Sequence, residues 1–90
     1  MRRADKPSRS ARHAAMDLLA RREHSCTELK RKLAARDYAE DEIDTAVAAL
    51  EAEGLASDAR FAEAFVAARV RRGQGPRRIQ RELDARGGAP

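Results

Sequence analysis

Arginine side chains grouped on predicted helices are the feature of this sequence with the clearest chemistry. The chain has sixteen arginines and only three lysines. A guanidinium group forms paired hydrogen bonds to a carboxylate or a phosphate, which an ammonium group does not. We predict that a partner contacts the basic residues Arg21, Arg22, Lys30, Arg31, Arg69, Arg71, Arg72, Arg77, Arg78 and Arg81. That partner could be an acidic protein surface, DNA phosphate or both, and the alternative is a solvated helix surface without a partner.

Histidine and cysteine are too scarce to predict a metal site. His24 and Cys26 are close in sequence, but only His13 remains among these residue types as a further ligand. Cys26 lies at the start of a predicted helix, where the helix dipole could lower the pKa of its thiol. Nucleophilic catalysis would need an oriented base and an oxyanion site, and the sequence offers neither. We therefore expect that the protein is not an enzyme and that it binds neither a metal ion nor a cofactor.

Residues 73–76, Gly-Gln-Gly-Pro, could be mistaken for a phosphate-binding loop. The segment is too short for that motif and lacks its Gly-Lys-Ser/Thr ending. Gly75 and Pro76 suit the N-cap and the first position of a helix, which predicts a tight turn between two helices. A weak anion site is the alternative, because the helix would begin with free backbone donors beside Arg77 and Arg78.

Five helices account for the apolar periodicity of the chain. The first begins near Ser8 or Ser10, the second at a Ser25-x-x-Glu28 capping box, and the third runs from about residue 40 to residue 53. Ser57 caps the fourth, and the fifth follows Gly75. The residues predicted to face inward are Ala11, Ala14, Ala15, Leu18, Leu19, Leu29, Leu33, Ile43, Ala46, Val47, Leu50, Phe61, Ala64, Phe65, Ala68, Ile79 and Leu83.

The helical pattern repeats after fifty residues. Residues 14–36 align with residues 64–86 with seven identities in 23 positions, including Arg21 with Arg71 and Arg22 with Arg72. A repeated unit that cannot bury its own apolar face predicts stacked modules with an extended surface. We therefore predict an all-α fold of tandem three-helix modules, one complete and one with two helices. The predicted division is a disordered basic arm over residues 1–8, a first module over 9–56 and an incomplete second module over 57–90.

Charge and composition restrict the setting of the protein. The formal net charge is +4, although residues 37–58 contain eight acidic residues and no basic one. If the third helix packs across the first two, the module has an acidic side and a basic side. A single cysteine excludes an internal disulfide and suits a reducing compartment. With no apolar run long enough to span a membrane and no signal peptide, we expect a cytoplasmic monomer.

Three stretches of the sequence match one family pattern in order and spacing. The first comprises residues 18–25, Glu28, Leu29, Lys32 and Leu33. The second comprises Leu50, Gly54, Leu55, Asp58 and residues 60–62. The third comprises Arg69, residues 72–79, Glu82 and Leu83. Over about residues 11–87 the chain resembles the RecX family.

The resemblance implies a function as well as a fold. It implies tandem three-helix modules that lie in the groove of a RecA filament on DNA and restrain the activities of the recombinase, without catalysis. RecX proteins typically have three modules, whereas only the first is whole here. Asp37 also stands where the family often has glycine.

A DNA-binding protein of the helix-turn-helix type is the alternative function, with the second helix reading bases. That helix lacks the asparagine or glutamine that commonly reads adenine, and no dimerisation helix is evident. Weak contact with DNA phosphates, independent of base sequence, is compatible with either function.

Overall fold

A computed structural model describes residues 9–87 of the chain. Within this range the protein forms α1 (Ala11–Arg21), α2 (Cys26–Ala35), α3 (Glu40–Ala52), α4 (Asp58–Arg71) and α5 (Pro76–Ala85), and no strand. The prediction of an all-α fold is confirmed. The predicted disordered arm, residues 1–8, and the last three residues lie outside the described residues.

Local capping signals determine where most of these helices begin. The hydroxyls of Ser10 and Ser57 each accept a hydrogen bond from the backbone N–H three residues further on, at 3.1 Å. Ser25 and Glu28 form both halves of the predicted capping box. Gly75 is the N-cap of α5 and Pro76 its first residue. These predicted helix starts are confirmed, because each depends only on neighbouring residues.

The first three helices enclose one hydrophobic core. Helix α3 packs across α1 and α2, which also contact each other. Small residues on α1 let the backbones approach closely, while α2 and α3 contribute the larger side chains. The core consists of Ala11, Ala14, Ala15, Leu18, Leu29, Leu33, Ile43, Ala46, Val47, Leu50 and Ala56. Leu19, also predicted to face inward, is only partly buried.

Helices α4 and α5 form a second, smaller core from Phe61, Phe65, Ile79 and Leu83. The prediction that Ala64 and Ala68 also face a core is wrong, since Ala64 is exposed and Ala68 half-buried. Their counterparts in the repeat are Ala14 and Leu18, which are buried in the core that α3 closes. Within residues 9–87 no third helix covers the same side of α4.

The connections between helices include two left-handed backbone positions of different residue type. Gly54 follows α3 with φ +79°, as predicted, and glycine adopts this conformation without a Cβ penalty. Asp37 follows α2 with φ +72°, which only a few side chains tolerate. The molecule is elongated, with extents of 47 × 29 × 20 Å. Its radius of gyration of 14.6 Å exceeds the value of about 12 Å expected for a compact chain of this length.

Candidate partner-binding surface

The ten basic residues predicted to contact a partner divide into two equal groups. Five interact with other parts of the protein, namely Arg22, Lys30, Arg31, Arg69 and Arg78. The other five form no ion pair and no side-chain hydrogen bond within residues 9–87, namely Arg21, Arg71, Arg72, Arg77 and Arg81. All five of these are exposed. We call them the exposed arginines.

Arg22 belongs to the structure of the first module. Its guanidinium donates to both carboxylate oxygens of Glu28, at 3.3 and 3.2 Å, and to the Glu23 carbonyl at 2.7 Å. The Ser25 backbone N–H also donates to the Glu28 carboxylate, at 3.2 Å. Burial alone would raise the pKa of Glu28, but these hydrogen bonds to its ionised form outweigh burial and lower the pKa. Arg22 therefore orients a mostly buried carboxylate.

Arg72 occupies the place of Arg22 in the repeat but has no equivalent partner. Fifty residues after Glu28 the chain has Arg78, so the carboxylate that binds Arg22 is replaced by a second cation. Arg72 remains exposed at the C-cap of α4. The repeated Arg-Arg pairs are thus equivalent in sequence but not in chemistry, and the second module has more unpaired positive charge.

Arg69 and Arg78 share one carboxylate within the second module. Glu82 lies 3.3 Å from the Arg69 guanidinium and 3.2 Å from that of Arg78. The hydrogen bond from Arg78, followed by the charge of Arg69, lowers the pKa of Glu82. Arg69 also lies over the ring of Phe65, 4.6 Å from the ring centroid. A stacked and paired guanidinium of this kind stabilises the α4–α5 pair.

Lys30 and Arg31 lie on the exposed side of α2 and both have contacts. Lys30 is 3.7 Å from the Asp44 carboxylate on α3, and both side chains are at least half exposed. Arg31 donates to the backbone carbonyl of Ala85 at the end of α5, at 3.1 Å. Exposed ion pairs contribute little to stability, so Lys30 can exchange Asp44 for a partner's carboxylate. Arg31 connects the two modules.

The exposed arginines occur at two kinds of position. Arg21 is the last residue of α1, and Arg71 is the last residue of α4, next to Arg72. Arg77 and Arg81 are one turn apart on α5, so they share the face of the helix away from Ile79 and Leu83. Four of the five exposed arginines belong to the second module.

One basic residue at the boundary between the modules escaped the sequence prediction. Arg86 lies 5.3 Å from the centroid of the Phe65 ring and 3.6 Å from the Glu28 carboxylate of the first module. Arg86 also lines a cleft of about 280 Å³. The residues around this cleft are Arg22, Glu23, Phe61, Ala64, Phe65, Ala68, Arg69, Arg72 and Arg86. The match of Arg86 with Arg36 in the repeat was the available signal, but it does not indicate which residues lie nearby.

His24 is a structural residue that sequence reasoning did not place. It is 2% exposed, its Nδ1 lies 3.0 Å from the Arg22 carbonyl, and its Nε2 lies 3.1 Å from the Lys32 ammonium. A neutral ring with the proton on Nδ1 satisfies both contacts. Burial, followed by the positive charges nearby, lowers the pKa of His24.

The prediction that the helix dipole lowers the pKa of the Cys26 thiol is wrong. Burial and the neighbouring carboxylates of Asp58 and Glu51 raise that pKa to about 11. The three side chains bring their ligand atoms within 4.8 Å of one another. The sequence prediction considered only histidine and cysteine as ligands and so missed the two carboxylates. Hydrogen bonding between a protonated thiol and these carboxylates accounts for their proximity.

These features define a class: a small all-helical protein of tandem modules whose surface chemistry is dominated by arginine. Within residues 9–87 no helix is long and apolar enough to cross a membrane. The model of the first three-helix domain of RecX matches residues 11–50, and that of the second three-helix domain matches residues 57–87. The chain belongs to the RecX family, which confirms the resemblance drawn from its sequence.

Curated relatives share about half of the aligned residues with this chain. A protein named Regulatory protein RecX from Ectopseudomonas mendocina (strain ymp) is 55% identical over 78 residues, 87% of this chain and 52% of that protein. A protein of the same name from Chromohalobacter salexigens is 55% identical over 76 residues, 84% of this chain and 50% of that protein. The one from Halorhodospira halophila is 49% identical over 87 residues, 97% and 54% respectively. The chain thus spans about half the length of the curated relatives it matches.

Proposed function

We propose that this chain regulates the RecA recombinase by binding the RecA filament on DNA and inhibiting its activity. The observation that supports this function is the match of both halves of the chain to RecX domains, together with relatives named Regulatory protein RecX. The protein would act as a monomer in the cytoplasm, without catalysis and without a cofactor.

The exposed arginines are the proposed contact residues. Arg21 would serve the first module, and Arg71, Arg72, Arg77 and Arg81 the second. Their guanidinium groups have no competing carboxylate within residues 9–87, so binding a partner's carboxylate breaks no internal ion pair. A filament repeats the same surface along its length, and two linked modules would gain affinity by binding it together.

The structure offers little support for the helix-turn-helix alternative. In that class the first residues of the reading helix approach base edges in the major groove. Here the first turn of α2 faces the second module, since the Cys26 backbone N–H donates to Asp58 at 2.8 Å and Ser25 to the Arg86 carbonyl. Arg31, one turn further on, is bonded to Ala85. Weak phosphate contact by the exposed arginines is therefore the only DNA binding we propose.

Co-sedimentation with RecA filaments and inhibition of the DNA-dependent ATPase of RecA test this function. Reversing the charge of Arg71 and Arg72 together should weaken filament binding and leave helicity unchanged. Exposed arginines near a helix end contribute little to folding, whereas a desolvated charge contact at an interface is worth about 2–5 kcal/mol. The same assays without RecA measure DNA binding alone.

A second exposed arginine at a helix C-cap provides a matched control for the contact site. Arg36 and Arg72 are both exposed C-cap residues, of α2 and α4, and neither forms an ion pair within residues 9–87. Arg72→Glu should reduce filament binding, and Arg36→Glu should not. If a version extended to the length of the relatives neither binds nor inhibits, the proposed function is wrong. If it does both and Arg72→Glu has no effect, only the site is wrong.

A further inference from the structure

The two modules meet through polar contacts and not through a shared hydrophobic core. Within residues 9–87, the buried apolar residues fall into two clusters that have no member in common. The main helix packing is also internal to each module, with α3 on α1 and α2, and α4 on α5. Hydrogen bonds and ion pairs must therefore determine how one module sits on the other.

The first of these polar contacts joins the start of α2 to the end of α5. The Ser25 hydroxyl, which caps α2, also donates to the backbone carbonyl of Arg86. The Arg86 guanidinium lies 3.6 Å from the Glu28 carboxylate in the same capping box. One residue at the end of α5 is thus bonded through its backbone and its side chain to the first turn of α2.

The second polar contact joins the end of α1 and the start of α2 to α4. The Cys26 backbone N–H donates to the Asp58 carboxylate at 2.8 Å. The Arg60 guanidinium donates to the Glu23 carboxylate at 2.9 Å. Asp58 and Arg60 lie in the first turn of α4. The start of α4 and the end of α5 are therefore both attached near the start of α2. We call these two sets of contacts the inter-module clasp.

Gly87 shows how closely the two sides of the clasp approach. It has φ +79°, and a Cβ built on it would lie 2.5 Å from both Cβ and Oγ1 of Thr27. Gly73 has almost the same backbone conformation, φ +82°, but a Cβ there would meet nothing within 4 Å. Alanine at either position has the same backbone strain, and only alanine at Gly87 pushes α2 away from the end of α5.

We propose that the inter-module clasp is a joint that opens without unfolding either module, and that it determines the orientation of the second module. Closed, it fixes the direction of Arg71 and Arg72 relative to Arg21. Open, it lets the second module turn about Ser57, the residue between Ala56, which is buried in the first core, and the start of α4. The joint exists independently of RecA, and its use in binding a filament rests on the function proposed above.

The comparison of Gly87→Ala with Gly73→Ala in the free protein tests the joint. Amide hydrogen exchange follows the Cys26 N–H, which donates across the clasp, and amides in the middle of α3 and α4. We expect exchange at Cys26 to be about tenfold faster in Gly87→Ala than in Gly73→Ala, with the central amides unchanged. Residual dipolar couplings should fit one alignment tensor for Gly73→Ala and two for Gly87→Ala. Adding Thr27→Gly to Gly87→Ala removes the clash and should restore a single tensor.

Each other result would overturn the proposal. Equal exchange at Cys26 and one tensor in both variants would show that this contact does not orient the modules. Loss of helicity, or faster exchange in the middle of α3, confined to Gly87→Ala would show that the clasp is part of folding and not a joint. Neither measurement uses RecA, so failure of the joint is distinguishable from failure of the proposed function.

Discussion

His24 is a buried side chain whose surroundings disfavour protonation of its ring. Its two ring nitrogens face a carbonyl oxygen and the Lys32 ammonium, so the ring accepts a hydrogen bond from a cation only while it is neutral. Protonation would place two positive charges in contact at a residue that is 2% exposed. The neutral ring is therefore a condition for the turn between α1 and α2.

Stability should consequently fall below neutral pH. The folded state lowers the pKa of His24 from 6.5, so the unfolded chain takes up the proton first. His24 therefore contributes its full stabilisation above pH 6.5. The free energy of unfolding falls as the pH decreases below that value, by at most about 1.4 kcal/mol per pH unit. Urea unfolding between pH 5.5 and 7.5 measures this slope, and His24→Gln should flatten it. His13→Gln, at an exposed histidine, should not; an unchanged slope in His24→Gln would assign it to another group.

Leu33 should be among the residues on which the first module depends most. It is fully buried between three helices, and Leu33→Ala should reduce the free energy of unfolding by about 2–4 kcal/mol through lost contacts and a cavity. Leu55, which is 45% exposed, provides the control, and Leu55→Ala should change stability much less. Thermal unfolding followed by circular dichroism measures both. A melting temperature of Leu33→Ala within a degree or two of wild type would contradict the described packing.

At the scale of the helix, one N-cap has two functions. Ser25 and Ser57 each accept a hydrogen bond from a backbone N–H at the start of their helices, but only Ser25 also donates to the other module. Loss of an N-cap hydroxyl costs about 1 kcal/mol. Ser57→Ala should show this cost alone. Ser25→Ala should show more, because it also leaves the Arg86 carbonyl without its donor.

Chemical denaturation of both serine variants measures the difference. Amide exchange at Cys26 should increase in Ser25→Ala and stay unchanged in Ser57→Ala, since only the first variant loosens the clasp. Equal losses of stability in the two variants would show that the bond from Ser25 to Arg86 contributes nothing.

The helices were predictable from the sequence because their signals are local. Ser25 and Glu28 are three residues apart, and the capping box they form needs no knowledge of the rest of the chain. The second partners of these two residues were not predictable. Arg86 is 61 positions from Ser25, and only the packing of two modules brings its carbonyl to that hydroxyl.

The same limit applies to the candidate site. The sequence predicted ten basic contact residues, but it could not show that Glu28 and Glu82 occupy the guanidinium groups of Arg22, Arg69 and Arg78. The helix position of Cys26 indicated that the dipole could lower its pKa, whereas burial and the carboxylates of Asp58 and Glu51 raise it. Charged neighbours that come from distant segments of the chain can be identified only when the fold is known.

At the scale of the whole molecule, the two signs of charge are separated. Helix α3 begins with three acidic residues in its first turn, and the exposed arginines lie at the end of α1 and on the second module. In a body 47 Å long, this distribution gives the second module most of the exposed arginines. The segregation favours orientation of the molecule before contact.

DNA binding by this chain alone should be weak, independent of sequence and steeply dependent on salt. The exposed arginines can neutralise phosphates. Within residues 9–87 the aromatic side chains offer little surface for stacking, since Phe61 and Phe65 are buried and Tyr38 is packed, partly buried, against the first core. Fluorescence anisotropy with random and palindromic duplexes from about 50 to 200 mM salt measures affinity and slope. A palindrome bound much more tightly than random duplex would favour the helix-turn-helix alternative.

Because the pKa of Cys26 is raised, the reaction rate of the protein's single thiol reports motion between the modules. With a pKa of about 11, only on the order of one thiol in 10,000 is ionised at pH 7, against about one in 100 at the ordinary value of 9.0. Movement of the second module would take Asp58 away from the sulfur and reduce the burial of the thiol, so alkylation by iodoacetamide should be faster in molecules that have opened in this way. The labelling rate counts these events in the native chain, without an introduced probe. We expect Gly87→Ala to be labelled faster than Gly73→Ala, and equal rates would mean that the thiol is shielded by α3 alone.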